Sequence, residues 1–138
     1  MREVPAVCLF CVPESGLIIA ENALAVAIRD AYPVNPGHAL VVTRRHVASW
    51  FDVSPEERIA VMSLVDEVKR LLEAREFPAG YNIGINVGES AGQTVAHVHV
   101  HVIPRYAGDV DDPSGGVRFV IPTRGNYRRP GYIPLAKE

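Results

Sequence analysis

The chain lacks most of what would take it out of the class of ordinary folded domains. Two cysteines among 138 residues, Cys8 and Cys11, are too few for a disulfide scaffold, and in a reducing compartment a C-x-x-C pair holds metal or does redox chemistry. No apolar run approaches the roughly 20 residues that cross a bilayer, and the N-terminus has no cationic start leading into an apolar signal core. A cytoplasmic location away from membranes is therefore expected. A large charge of one sign is missing as well. The formal net charge of -2 argues against a broad grip on nucleic acid and leaves room for a small phosphate-bearing ligand at one local site.

Apolar residues make up 48% of the chain and charged residues 22%, enough for a sizeable core and too apolar for general disorder. The length suits a single domain. Residues 1–138 are read as one domain, with a core over about 8–106 and a Gly/Pro/Arg-rich extension over 107–138 that is expected to wrap the domain or a second subunit.

Short apolar runs at Leu17–Ala20 and Leu24–Ile28 flank Glu21-Asn22-Ala23 and predict a hairpin. The Pro- and Gly-broken stretch 31–37 is loop, and a third strand follows over His38–Val42. One helix is well marked. Ser54-Pro55-Glu56-Glu57 carries an N-cap, a proline at the first helical position and a capping-box glutamate, while Ile59, Met62, Val65, Val68 and Leu72 recur at helical spacing up to an end near Glu76. Trp50 and Phe51, just ahead of it, are expected to staple against the helix.

In the next strand Tyr81, Ile83, Ile85 and Val87 face one way and Asn82, Gly84 and Asn86 the other. A strand over His97–Ile103 alternates His97, His99 and His101 with Val98, Val100 and Val102. Paired antiparallel, the two would put their apolar sides under the helix and share an accessible face of asparagine and histidine.

Three imidazoles at i, i+2 and i+4 stand about 6.6 Å apart along one groove. As mere core they would be costly, because each buried ring needs its own partners. A metal site and nucleophilic or acid/base chemistry are the alternatives, since imidazole is a common metal ligand with a pKa of about 6.5. The preceding Gly92-Gln93-Thr94, with flexible backbone and side-chain donors, and Asn86 on the neighbouring strand favour an anion beside the histidines, and a phosphate suits the arrangement.

The run Gly92-Gln93-Thr94-Val95-Ala96-His97-Val98-His99-Val100-His101-Val102-Ile103-Pro104-Arg105 resembles the signature of the histidine triad (HIT) superfamily. Asp30, Pro36-Gly37-His38-Ala39-Leu40-Val41-Val42, Arg45-His46 and Asn86 fall where members carry like residues. The resemblance implies an α+β fold, a small antiparallel sheet of about five strands with one long helix on one face, and two subunits joined into a continuous sheet. It implies a nucleotidyl hydrolase or transferase acting on a phosphoramidate, a dinucleoside polyphosphate or a related conjugate of a purine nucleoside. His99 would be the nucleophile at the α-phosphate, with His38 and His101 beside the phosphate and the leaving group. Gln93, Thr94 and nearby amides would hold phosphate oxygens, and Asp30 would accept from ribose hydroxyls.

Members with an N-terminal cysteine pair imply a structural zinc on Cys8, Cys11, His46 and His97, in which His97 would orient His99 through its backbone carbonyl. No organic cofactor is implied. The rivals are a phosphorylase, a nucleotide-binding regulatory module with incidental turnover, and a metallohydrolase using the triad as ligands. A thioredoxin-type role for the cysteines is disfavoured, because Pro13 and Gly16 follow them rather than a helix start. Arg124, Arg128 and Arg129, interleaved with Tyr127 and Tyr132, are read as subunit-boundary or phosphate-tail contacts rather than a nucleic-acid patch.

Overall fold

A computed structural model describes residues 8–136. The first seven and last two residues of the expected domain span, and the reading of the extreme N-terminus, lie outside the described residues.

Five strands, β1 (Ile18–Glu21), β2 (Ala25–Arg29), β3 (Ala39–Thr43), β4 (Gly80–Ile85) and β5 (His99–Arg105), form one antiparallel sheet in the order β1-β2-β3-β5-β4. Helix α1 (Pro55–Arg75) crosses one face. This is the expected architecture, with strand ends shifted by a residue or two. The β1–β2 turn is closed by Asn22, whose Oδ1 accepts from the amides of Leu24 and Ala25, an asparagine turn that bends the chain without a glycine.

Helix α1 starts where its sequence says it should. Ser54 Oγ accepts from the Glu57 amide and Glu57 Oε1 accepts from the Ser54 amide, completing the capping box with Pro55 at the first turn. The core-facing stripe differs from the expected one. Val61, Leu64, Val65, Val68 and Leu72 are buried, whereas Ile59 and Met62 are 69% and 39% exposed. A seam at i, i+3, i+4, i+7 anchored on Val61 keeps to one side of the helix, and Ile59 lies off that seam on the solvent side. Ala25, Ala27 and Ala39, all fully buried, lie beneath the helix, and their small side chains let it approach the sheet closely. Trp50 packs on the core with the Arg58 guanidinium 5.3 Å from its ring centroid, but Phe51 is 74% exposed and staples nothing.

Alternation along β5 divides the sheet. Val100 and Val102 join the helix-side core with Tyr81 and Ile85 of β4. His99 and His101 stand on the opposite face, across from Val42 and Leu40 of β3, where Val26, Ile28, Leu40 and Val42 form a second apolar cluster with Phe10, Leu17 and Ile18. Ile83 shares the helix side with Val102 but lies on the edge strand, and it is 49% exposed. Among the described residues no helix is long and apolar enough to cross a membrane.

Candidate active site

The three histidines of the alternating run do not form one row. The ladder begins only at His99, and His97 sits in a bend before it, fully buried. What turns His97 out of register is a hydrogen bond from the Val98 amide to the Val47 carbonyl, which ties this bend to the segment after β3. The ring of Phe10 fills the gap, 6.0 Å from His97 and 5.0 Å from His99 between ring centroids. His99 and His101 remain neighbours at 5.2 Å. The even spacing expected of an unbroken strand thus holds for the second and third imidazoles only.

Hydrogen-bond partners assign the protons on each ring, since a backbone carbonyl accepts only from N–H and an amide donates only to a bare nitrogen. His97 Nε2 lies 2.7 Å from the Thr43 carbonyl and so carries hydrogen, which leaves its Nδ1 lone pair facing the sulfurs of Cys8 and Cys11, each 3.5 Å away. His99 Nδ1 donates to the His97 carbonyl at 2.8 Å, which leaves Nε2 bare. His38 Nδ1 accepts from the Val34 amide at 3.1 Å, so His38 Nε2–H is shared between His101 Nδ1 at 2.9 Å and Asp30 Oδ2 at 3.3 Å. His101 is then protonated on Nε2, as a donor. The outcome is a bare nitrogen on His99 beside an N–H on His101.

Burial favours the neutral form of three of these rings, His38, His101 and His97. It pushes His38 below the ordinary histidine value against the pull of the Asp30 carboxylate, and it lowers His101 with help from the neighbouring His99 and His38. His97 is lowered too, by burial against the Thr43 hydrogen bond. Neutral imidazole is the form that can act as nucleophile or ligand.

Asp30 is not a solvated acid at a strand end. Its Oδ1 accepts from the Tyr32 amide and its Oδ2 meets His38. Gly37, at φ +90°, makes the turn into His38, and a Cβ there would come within 2.6 Å of Leu72. Asn86 lies just past the end of β4, one residue beyond the Ile85–Val100 pair. Gln93 differs from expectation. Its carboxamide bonds backbone only, accepting from the Gly88 amide and donating to the Ala48 and Val95 carbonyls, so it shapes the loop rather than standing free as an anion donor. Thr94 is exposed beside it. Thr43 and Phe10 escaped the sequence reading. Phe10 lies between the two cysteines and was open to notice, whereas the role of Thr43 depends on a carbonyl and has no side-chain signal.

Cys8, Cys11, His46 and His97 bring their four ligand atoms within 4.8 Å of one another. Tetrahedral legs of about 2.0 to 2.3 Å put ligand atoms about 3.5 Å apart, and the Cys8–His97, Cys11–His97 and Cys11–His46 separations are 3.5, 3.5 and 3.1 Å. Two thiols and two imidazoles, one with its far nitrogen anchored on a carbonyl, are a fitting donor set for zinc. Arg45, next to His46, forks onto Glu57 at the start of α1 and steadies this loop.

In the C-terminal segment Arg118, rather than Arg124, Arg128 or Arg129, stacks over Tyr127 at 5.0 Å and reaches the Tyr132 hydroxyl, and those three arginines are exposed.

Comparison with known proteins agrees with this architecture. A HIT domain family model matches residues 14–108. The AP-4-A phosphorylase of Mycobacterium tuberculosis is 39% identical over 99 residues, covering 71% of this chain and 51% of its own length, so the chain spans about half of that relative. An adenosine 5'-monophosphoramidase of Schizosaccharomyces pombe is 37% identical over 102 residues, 71% of this chain and 74% of the relative. The crystal structure of a zinc-bound histidine triad family protein from Mycobacterium smegmatis superposes with a TM-score of 0.67 at 31% identity, covering 82% of this chain and 89% of that one. With the sheet order, the helix and the histidine strand in place, the chain belongs to the HIT domain family.

Proposed function

We propose that the chain is a nucleotidyl hydrolase or transferase that cleaves at the α-phosphate of a nucleoside phosphoramidate or dinucleoside polyphosphate through a covalent nucleotide on His99. The observation that carries this reading is the hydrogen bond from His99 Nδ1 to the His97 carbonyl, which leaves the Nε2 lone pair free. That nitrogen attacks phosphorus and the P–N or P–O bond to the leaving group breaks, with the Nε2–H of His101 donating a hydrogen bond to the departing atom; a polyphosphate leaves as its anion, and an amine takes its proton from solvent. Water then attacks the nucleotidyl-histidine, loses its proton to solvent, and the P–N bond breaks to release the nucleoside monophosphate and return neutral His99. His38 holds His101 in the donor tautomer, and Asp30 holds His38 or accepts from a ribose hydroxyl. Thr94, Asn86 and the loop amides shaped by Gln93 steady the phosphate oxygens as charge builds. The apolar cluster beside the histidines, rimmed by Phe10, Leu17 and Ile18, suits a purine base.

The chain is further proposed to carry a structural zinc on Cys8, Cys11, His46 and His97, to need no organic cofactor, to work in the cytoplasm as a single domain spanning 1–138, and to form a homodimer. When bound, the metal supplies rigidity at His97. A filled four-ligand site leaves no position for substrate. Exposed Ile59, Met62 and edge-strand Ile83 support a second copy covering the helix-side edge. The relatives named as phosphorylase and as phosphoramidase support the shared first half of the reaction and differ in what takes the nucleotide from the histidine. Phosphorolysis is therefore the second reading.

Incubation with adenosine 5'-phosphoramidate or diadenosine tetraphosphate, followed by intact-mass measurement, should reveal a nucleotidyl adduct on the wild-type chain and none on His99→Ala. An active His99→Ala would sink the nucleophile. Products formed with and without inorganic phosphate separate hydrolysis from phosphorolysis.

A further inference from the structure

A cavity of about 420 Å³ opens on the histidine face at the far end of β4 and β5, between the sheet and the C-terminal segment. Its floor is Ile103 and Asn82, paired across the two strands, and its walls include Val34, Arg105, Val110 and Phe119. Phe119 packs against Gly125, where a Cβ would come within 2.6 to 2.8 Å of its ring, yet the side chain stays 44% exposed. A ring fixed from behind and open in front is a stacking surface.

The polar chemistry of the cavity favours a neutral flat group over a phosphate. Arg105 is already matched, because its Nε and Nη2 donate to the two oxygens of Asp109 and its Nη1 donates to Asn82 Oδ1. The guanidinium in turn holds the Asp109 carboxyl far below the usual carboxylate range. Among the described residues that line the cavity, no spare cation is left for an anion. Asn82 keeps its amide N–H groups without a partner among the described residues, and Gly116, where a Cβ would stand 3.3 Å from that nitrogen, leaves it uncovered. A carboxamide offering a donor beside an acceptor matches the N7 and N6 edge of adenine.

Placement ties the cavity to the histidines. Ile103 lies on the same face as His99 and four residues beyond it, about 13 Å at about 3.3 Å per residue. Val34, at the rim, donates its amide to His38. The His38–His101 pair therefore stands between the nucleophile and the cavity. A bridging phosphate chain with its ribose spans that interval, and an amine leaving group does not.

We infer that this cavity is the subsite for the distal base, by preference adenine, of a dinucleoside polyphosphate whose proximal α-phosphate lies at His99. The inference rests on the reading of His99 given above, and it selects the dinucleoside polyphosphate over the phosphoramidate as the substrate class the chain is shaped for. The family match covers residues 14–108, and Val110, Gly116 and Phe119 of the cavity lie beyond it in the C-terminal segment.

The full chain and two variants, Phe119→Ala to remove the stacking surface and Val110→Trp to fill the cavity, test it. Each should raise KM for diadenosine tetraphosphate about tenfold, the scale of one lost or blocked aromatic contact, and leave KM for adenosine 5'-phosphoramidate unchanged. Equal shifts on both substrates, or none on either, overturn the subsite. Val110→Trp leaves the Phe119–Gly125 contact intact and so guards against a merely loosened segment. If the wild-type chain turns over neither compound, the His99 reading fails, and calorimetric titration with diadenosine tetraphosphate and with AMP then decides the subsite alone. Tighter binding of the dinucleotide that both variants abolish supports it. Equal affinities, a margin untouched by the variants, or no binding overturns it.

Discussion

His99 Nδ1 donates to the backbone carbonyl of His97 at 2.8 Å, and the ring of His97 points its own Nδ1 at Cys8 and Cys11. One residue therefore belongs to two systems, with its side chain in the Cys/His cluster and its carbonyl on His99, the proposed nucleophile. A change in the cluster reaches His99 through a single peptide unit.

Removing the metal should consequently lower kcat while leaving KM nearly unchanged. Dialysis against a chelator, or Cys8→Ser, should release zinc measurable by elemental analysis and reduce kcat by about 10 to 100-fold, the usual effect of losing an orienting shell around a site. A chelator that abolishes activity while His99→Ala retains it would place the chemistry on the metal instead. Unchanged metal content in Cys8→Ser would remove that residue from the cluster.

Stability should fall between about pH 7 and pH 5, where carboxylates still stay ionised. His38 and His101 have folded pKa values below the ordinary histidine value because both are buried. In that window the unfolded chain binds more protons, so stability is complete above about pH 6.5 and is lost as pH falls toward the folded values. Denaturant melts on wild type and on His38→Gln/His101→Gln should show the slope in the former and a flatter profile in the latter. An identical slope in both would assign it elsewhere.

The start of α1 offers a graded pair. Ser54→Ala removes one cap bond and should cost about 1 kcal/mol. Glu57→Ala should cost more, about 2 kcal/mol, because the buried carboxylate serves both the Ser54 amide and Arg45. Since Arg45 precedes His46, Glu57→Ala should also weaken zinc retention, and Ser54→Ala should do so much less. Equal zinc loss in the two would break the proposed link through Arg45.

The apolar residues left outside the core define the last prediction. Met62→Arg with Ile83→Arg should convert a dimer to monomer in sedimentation with little loss of monomer stability, because both side chains are substantially exposed. A wild-type chain that is already monomeric would reject the dimer, and with it the meaning given to these two residues.

Local sequence determined what depends on neighbours along the chain. The capping box and proline of α1, the Asn22 turn, the alternation of β4 and β5, and the segregation of histidine from valine on β5 all follow from spacing, because periods of 2 and 3.6 residues place side chains without reference to the rest of the molecule. Tertiary structure decided the rest. Ile59 and Met62 have the residue type of a core stripe, yet only the crossing of α1 over Ala25, Ala27 and Ala39 settles which stripe is buried. His97 leaves the row because Val98 bonds to Val47, a contact distant in sequence. Gln93 is taken up by carbonyls 45 and 2 residues away. The proton on each imidazole is set by Thr43, Val34 and the His97 carbonyl, backbone groups that carry no signature of residue type. The alternating histidines, and by resemblance their unequal roles, could be read from the chain alone, and the backbone partners that orient each ring required the fold.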